Sequence, residues 1–156
     1  IREGEVLAIA GVQGNGQTEL ARAIMNLEEF VTGSISIEGL ELVGKTVRDS
    51  LHSGIAYVPE SRELDGLIST FTIAENLILD VFDLVPNAKG PMLDLGYVSS
   101  NAEKQVKEFD IRIQSVTDAV SSLSGGNKQK VVLARELSSP VKFKALSTVI
   151  SIGVIV

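Results

Sequence analysis

The segment Gly11-Val-Gln-Gly14-Asn-Gly16-Gln17-Thr18 places three glycines, a carboxamide and a hydroxyl within eight residues. A loop of this composition can turn successive backbone N–H groups toward a phosphate, and a helix starting behind it adds the positive end of its dipole. Glycine is needed where a side chain would block the approach of backbone to the phosphates. The spacing follows G-x-x-x-x-G-K-[ST], in which the lysine reaches the β- and γ-phosphates and the hydroxyl reaches Mg2+. Here Gln17 stands at the lysine position, so the loop keeps a donor and loses a charge, while Thr18 keeps the hydroxyl. Without its lysine, the loop taken alone is read equally well as a tight strand-to-helix turn. Gly11, Gly14, Asn15, Gly16, Gln17 and Thr18 are the candidate phosphate-binding residues, with Thr18 the candidate magnesium ligand.

A second set lies at Leu123-Ser124-Gly125-Gly126-Asn127-Lys128-Gln129-Lys130. Serine ahead of a glycine pair at a helix start offers an anion a hydroxyl and N–H groups that lack intrahelical acceptors. A capped helix with a flexible entry accounts for the same residues. Other chemistries are excluded or unsupported. The chain has no cysteine and a single histidine, which removes disulfides, thiolate nucleophiles, zinc fingers and two-histidine metal sites. His52 follows Val47, Ser50 and Leu51 on a short predicted helix and reads as a surface residue. Asp80, Asp83 and Asp94 show no metal-ligand spacing.

The elements that must position these residues follow from periodicity. Glu5 to Ala10 is an apolar run suited to a buried strand, and Leu20, Ala23, Ile24 and Leu27 mark one face of a helix beginning at Gln17. Ser34 to Ile37 alternates like a half-buried strand entering a turn at Glu38-Gly39, and Ile55 to Val58 is a strand stopped by Pro59. Thr72 to Leu79 is predicted helical, Asp80 to Leu95 a loop, and Ala102, Val106 and Phe109 the face of another helix. A last helix opens at Ser124 and runs to about Leu137, with Pro140 closing it. This order is that of an α/β domain. A length of 156 residues, 44% hydrophobic, with mean hydropathy +0.25, fits one folded domain or a large piece of a longer protein. A net charge of −6 and a pI near 4.8 argue against a nucleic-acid partner. The start, Ile1-Arg2-Glu3-Gly4-Glu5, lacks an initiator methionine and a signal-peptide layout, and reads as a cut inside a longer polypeptide.

Leu123-Ser-Gly-Gly-Asn-Lys-Gln-Lys130 resembles the signature motif of ABC-transporter ATPases, in the form found in sugar and nucleoside importers with two tandem nucleotide-binding domains. The loop Gly14-Asn-Gly-Gln-Thr18 with Glu19 resembles the phosphate loop of the second, C-terminal domain of those subunits. Between them, Ala56-Tyr-Val-Pro59-Glu60-Ser-Arg62 and Asp65-Gly66-Leu67 resemble the family's Q-loop region, which reads P-E-D-R and then G-L in such domains. Ala74-Glu-Asn-Leu77 and Val131 to Leu137 are similar to the helices that follow the Q-loop and the signature. Glu108-Phe-Asp-Ile-Arg112 leans toward the nucleoside (basic-membrane-protein-associated) branch.

The resemblance implies a P-loop NTPase fold of the ABC type with a helical subdomain, truncated at both ends. Residues 1–140 would form a partial ATP-binding domain and 141–156 a divergent apolar tail. It implies ATP and Mg2+ as cofactors. The phosphate loop would hold this domain's own nucleotide weakly, with Glu60 and Arg62 facing nucleotide or membrane subunit. Otherwise Glu60 and Arg62 are solvated loop charges. Ser124, Gly125, Gly126 and Asn127 would complete the site of a partner domain in a head-to-tail dimer. Expected partners are the N-terminal ABC domain of the same subunit or a second copy, membrane permease subunits and, indirectly, an extracytoplasmic binding protein, at the cytoplasmic face of the membrane. The family's adenine-stacking aromatic is missing. Leu137 to Val156 contain no Asp, Glu, Gln or His, so no acid follows Glu136 to bind magnesium or orient water, and the chain alone is expected to be inactive. The apolar stretch Ala145 to Val156 is shorter than the roughly 20 residues that span a bilayer and is either a substitute core strand or a foreign tail. A non-catalytic regulatory or scaffold module and a non-functional fragment are the alternatives.

Overall fold

Strand-forming runs alternate with amphipathic helices along the chain, and the structure, a computed structural model, follows that alternation. It describes residues 1–2, 5–12, 14–138, 142–147 and 152–155. The first part contains β1 (Val6–Ile9), α1 (Gln17–Ile24), β2 (Ser36–Ile37), β3 (Leu40–Glu41), α2 (Val47–His52) and β4 (Ile55–Val58). A π-helical turn (Arg62–Gly66), α3 (Ile73–Asn76), β5 (Ala88–Lys89), β6 (Met92–Leu93), α4 (Leu95–Glu108), a 3-10 turn (Val120–Ser122) and α5 (Gly125–Ser138) come next. β7 (Phe143–Ser147) and β8 (Ile152–Ile155) close the sequence. These elements form two units, one from Ile1–Glu60 with Ser139–Val156 and one from Ser61–Ser138.

The first unit is built on a four-stranded sheet in the order β1-β8-β7-β4. β4 and β7 are parallel, whereas β8 runs antiparallel to both β7 and β1. The direction follows from chain length. A parallel neighbour needs a crossover of about a dozen residues, which the chain between β4 and β7 supplies and the short link from β7 to β8 does not. α1 packs Ala21 among Ile9, Tyr57 and Phe143, and Met25 joins Leu42 and Ile55 in an adjoining cluster. The buried face of α1 is thus Ala21 and Met25, with Ile24 beside them, and Leu20 and Leu27 are exposed, contrary to the periodicity reading. A small residue at 21 lets the helix approach the strands closely. The 34–37 strand shrinks to Ser36–Ile37, paired with β3 across Glu38-Gly39. His52 ends α2 in an exposed position, as expected.

In the second unit Ile73, Leu77, Val98, Ala102, Val120, Val131, Val132 and Ala134 are buried. The helix expected over 72–79 is limited to Ile73–Asn76. Asn76 is fully buried, and its carboxamide accepts from Ile68 N–H at 2.9 Å and donates to the carbonyls of Thr72 and Ile68 at 2.9 and 3.1 Å. This side chain ties α3 to the segment before it, and beyond α3 the chain continues in i to i−3 turns such as Val81 N–H to Ile78 and Leu84 N–H to Val81. The predicted loop from 80 to 95 contains the β5–β6 hairpin, in the register Ala88↔Leu93. Arg135, 7% exposed, meets Glu136 Oε1 at 2.9 Å and Asp80 Oδ2 at 3.0 Å, and donates through Nη1 to the Gly66 carbonyl at 2.9 Å.

Two short helices begin with the same reciprocal cap. Thr46 with Asp49 opens α2, and Thr72 with Glu75 opens α3. The backbone N–H of each threonine, then its hydroxyl, holds Asp49 and Glu75 below their ordinary values. A carboxyl lowered in the folded state contributes stability above its unfolded pKa and loses it as pH falls through the folded value. The melting temperature is therefore expected to be flat above about pH 5 and to fall toward pH 3. An Asp49→Asn, Glu75→Gln double variant should show a shallower fall in the same thermal scans; an unchanged slope would rule these caps out as contributors.

Candidate functional site

The phosphate-loop residues lie between β1 and α1 in the first unit. Gly14 and Gly16 have φ of +88° and +94°, a left-handed conformation that favours glycine, and both have open space where a Cβ would stand. Gly14 and Asn15 are exposed, and Asn15 N–H closes a turn on the Val12 carbonyl at 3.2 Å. Gly16 is the N-cap of α1 and no side chain caps the helix, so its first N–H groups stand free of intrahelical acceptors. Gln17 folds back over its own loop. Its Nε2 donates to the Val12 carbonyl at 3.4 Å, and a Cβ on Gly11 would lie 1.9 Å from that nitrogen. Gly11 is therefore the residue that leaves room for the carboxamide. Glu19 puts a negative charge in the first turn, opposing an incoming anion that Gln17 does nothing to attract.

The structure brings Thr18 and Glu60 together: Thr18 Oγ1 donates to Glu60 Oε2 at 3.2 Å across 42 residues of sequence. The exposed Glu60 follows β4 directly, after buried Pro59. Glu60 is an exposed loop charge, as in the alternative reading, and the Thr18 hydroxyl is its hydrogen-bond partner. Two hard oxygens so placed are a donor set that suits Mg2+. Among the described residues, no group of three or more His, Asp or Glu is gathered to hold a metal.

The signature residues lie at the start of α5 in the second unit. Ser124 and Gly126 are exposed, and nothing stands within 4 Å of a Cβ built on Gly126. Ser124 caps the turn, accepting from Asn127 N–H at 3.5 Å through Oγ and from Lys128 N–H at 2.9 Å through its carbonyl. The Asn127 side chain is turned away from any anion. Its Oδ1 accepts from Arg112 N–H at 3.1 Å and its Nδ2 donates to the Arg112 carbonyl at 3.2 Å. The Asn127 side chain thus ties the segment after α4 to the start of α5, while its backbone N–H serves the Ser124 cap. Spacing could not have revealed this, since an asparagine at N3 of a glycine-led helix carries no mark of its distant partner. Arg62 is no solvated charge. It is half-buried, its Nη2 would lie 2.9 Å from a Cβ on Gly125, and its Nη1 reaches Gln129 Oε1 at 3.5 Å. Glu63 beside it pairs with Lys128 at 2.9 Å, and that cation lowers the Glu63 carboxyl below its ordinary value.

Residues 1–146 match the family described as ABC transporter. The nucleoside import ATP-binding protein NupA of Lactococcus lactis is 39% identical over 137 residues, which is 88% of this chain and 27% of that protein. A glucose import ATP-binding protein of Haloferax volcanii is 39% identical over 140 residues, covering 88% and 26%. The guanosine import ATP-binding protein NupO of Bacillus subtilis is 34% identical over 137 residues, covering 88% and 27%. The chain thus spans about a quarter of the length of the curated relatives it matches. In fold, it is similar to the ATP-binding cassette MJ0796, solved as a dimer in a post-hydrolysis state with ADP and Pi, with a TM-score of 0.70. That likeness covers 94% of this chain and 61% of the other at 22% identity. Both the phosphate loop and the serine-glycine helix start fall inside the matched residues: the chain belongs to the ABC transporter family and has the P-loop α/β fold of its ATP-binding domains.

Proposed function

We propose that this chain is part of the second ATP-binding domain of an importer for simple sugars or nucleosides, working at the cytoplasmic face of the membrane. The observation that carries the reading is the Thr18–Glu60 pair, 3.2 Å apart, beside a loop of left-handed glycines that opens a helix. Gly11, Gly14, Asn15, Gly16 and Gln17 hold the phosphates of ATP through backbone N–H groups, and Thr18 with Glu60 holds Mg2+. Bound Mg2+ supplies neutralisation of phosphate charge. Gln17 folds back over its own loop and contributes no cation, so binding is weak. Ser124, Gly125, Gly126 and the Asn127 backbone serve the nucleotide of the other domain in a head-to-tail pair, and the pair works with membrane permease subunits fed by an extracytoplasmic binding protein. Residues 1–140 carry this role and 141–156 are a divergent apolar tail. Among the described residues no helix is long and apolar enough to cross a membrane.

Titration of the 15N-labelled chain with MgATP tests the reading through the amide resonances of Gly14 and Gly16. They should shift at weak affinity, and Gln17→Lys should tighten binding about tenfold, the worth of one charge-assisted hydrogen bond. Thr18→Val should remove the dependence on Mg2+. Turnover by the pure chain should stay at background, in Gln17→Lys as well. Loop resonances unmoved by MgATP in Gln17→Lys would overturn the reading, and steady hydrolysis abolished by the Thr18 change would overturn the inactivity of the isolated chain.

A further inference from the structure

We propose that Arg62 and Glu63 are positioning residues: the turn Arg62–Gly66 braces the start of α5 and so fixes where the backbone N–H groups of 124–127 stand. The proposal rests on the reading of 124–127 given above and concerns how that segment is held, with no contact to nucleotide. The turn is tied to α5 at both of its ends. Glu63 pairs with Lys128 at 2.9 Å, and Arg62 Nη1 donates to Gln129 Oε1 at 3.5 Å. At the other end the Gly66 carbonyl accepts from the buried Arg135 at 2.9 Å. Positions 128 and 135 lie two helical turns apart, about 10 Å along the axis. Two ties so separated resist a pivot that either alone would allow. The turn carries its own cap as well, the Ser61 hydroxyl accepting from Leu64 N–H at 3.3 Å.

The glycine pair shows what the brace requires. Neither Gly125 nor Gly126 has a left-handed backbone, so conformation demands glycine at neither position. A Cβ on Gly126 would meet nothing within 4 Å, whereas one on Gly125 would stand 2.9 Å from Arg62 Nη2 and 3.7 Å from its Cζ. The guanidinium therefore fills the space that glycine leaves bare at 125. A methyl group there would push aside the mobile end of the arginine and leave the helix in place. Glycine at 125 thus serves Arg62. The start of α5 needs such support, because its first N–H groups lack intrahelical acceptors and helix ends fray. The Ser124 hydroxyl is 3.5 Å from Asn127 N–H, long for a cap. Asn127 fastens this helix start to the Arg112 backbone, and the Arg62–Gly66 turn fastens it independently. A donor set acts on charge only where it is preorganised, and a misplacement of about 1 Å can cost about 10²-fold in rate.

The test has a structural and a functional arm. In the 15N-labelled chain, Arg62→Ala should speed hydrogen exchange of the Lys128 and Gln129 amides about tenfold, with Val131 and Val132 unchanged as proof that α5 is intact. Glu63→Gln should do so by less, because its ion pair is partly solvated. Gly125→Ala should match Arg62→Ala in the wild-type chain and add nothing to it in the double variant. Gly126→Ala should leave these amides protected. In the full-length transporter with a competent partner domain, Arg62→Ala should lower kcat for ATP about tenfold with KM nearly constant, because a loosened donor set costs the transition state and not the ground state. Arg62→Lys, which keeps the arm and the charge, should recover part of that loss. Unchanged exchange at 128 and 129 in Arg62→Ala, additive effects of the 62 and 125 changes, or an intact kcat would overturn the proposal. Ser124→Arg in the same transporter reports separately. If it abolishes turnover while Arg62→Ala leaves kcat intact, only the brace falls; if it is harmless, the reading of 124–127 falls, and with it the functional role claimed for the brace.

Discussion

Arg135→Ala is expected to lower the unfolding free energy by about 3–5 kcal/mol, the cost of removing one partner from a buried ion cluster. Arg135 is 7% exposed and faces Asp80, Glu136 and the Gly66 carbonyl at once. Its removal takes from the Glu136 carboxylate, whose side chain is 4% exposed, the cation opposite it. Asp80, 27% exposed, keeps access to water, so Asp80→Asn should cost markedly less. Urea unfolding with the slope held constant across variants measures both. A loss below about 1 kcal/mol for Arg135→Ala would mean that the cluster is at best neutral for stability.

The second large effect concerns assembled function. In a full-length transporter carrying a competent partner domain, Ser124→Arg or Gly125→Asp should cut ATPase activity and import by about 10²–10³, the usual cost of losing a preorganised donor set. Gly125→Asp also crowds the Arg62 guanidinium, whose Nη2 lies 2.9 Å from a Cβ at that position. Changing Gln17 should do far less, because its Nε2 already serves the Val12 carbonyl in its own loop. Transport assays on the two sets of variants decide the matter: equal damage from Gln17 and Ser124 changes would end the asymmetric assignment.

The parts of this molecule that were legible in sequence are those governed by local rules. β4 appears at Ile55–Val58 as the apolar run before Pro59 dictates, and α5 opens at Gly125 where the glycine pair predicts a helix start. The glycine turn between β1 and α1 could be placed because glycine content and strand-helix flanks are local facts. What stayed hidden was set by partners far along the chain. Asn127 holding the Arg112 backbone, Arg62 lying against Gly125 and Thr18 meeting Glu60 depend on how distant segments meet, which no periodicity encodes. The buried face of α1 was misread for the same reason. Leucines at 20 and 27 outweigh an alanine at 21 on any hydropathy count, yet the strands beneath the helix accept Ala21 and Met25. Asn76 was hidden for the same reason, a polar side chain fully buried on backbone groups of Ile68 and Thr72 that hydropathy would not place in a core.

The division of the chain also fixes the order in which it can be completed during synthesis. Every residue of the second unit lies in the single stretch Ser61–Ser138, so the serine-glycine helix start and the Arg135 cluster have all their partners once Ser138 has left the ribosome. The first unit draws on both ends of the sequence, and β1 pairs with β8 in the register Val6↔Ile155. β1 is made well before β8, so it must wait for residues 152–155 before that pairing can form. Until then the Ser61–Ser138 stretch has all of its partners while β1 lacks its described sheet neighbour. That interval is when a chaperone would find it, and a pause in translation after residue 138 would prolong it.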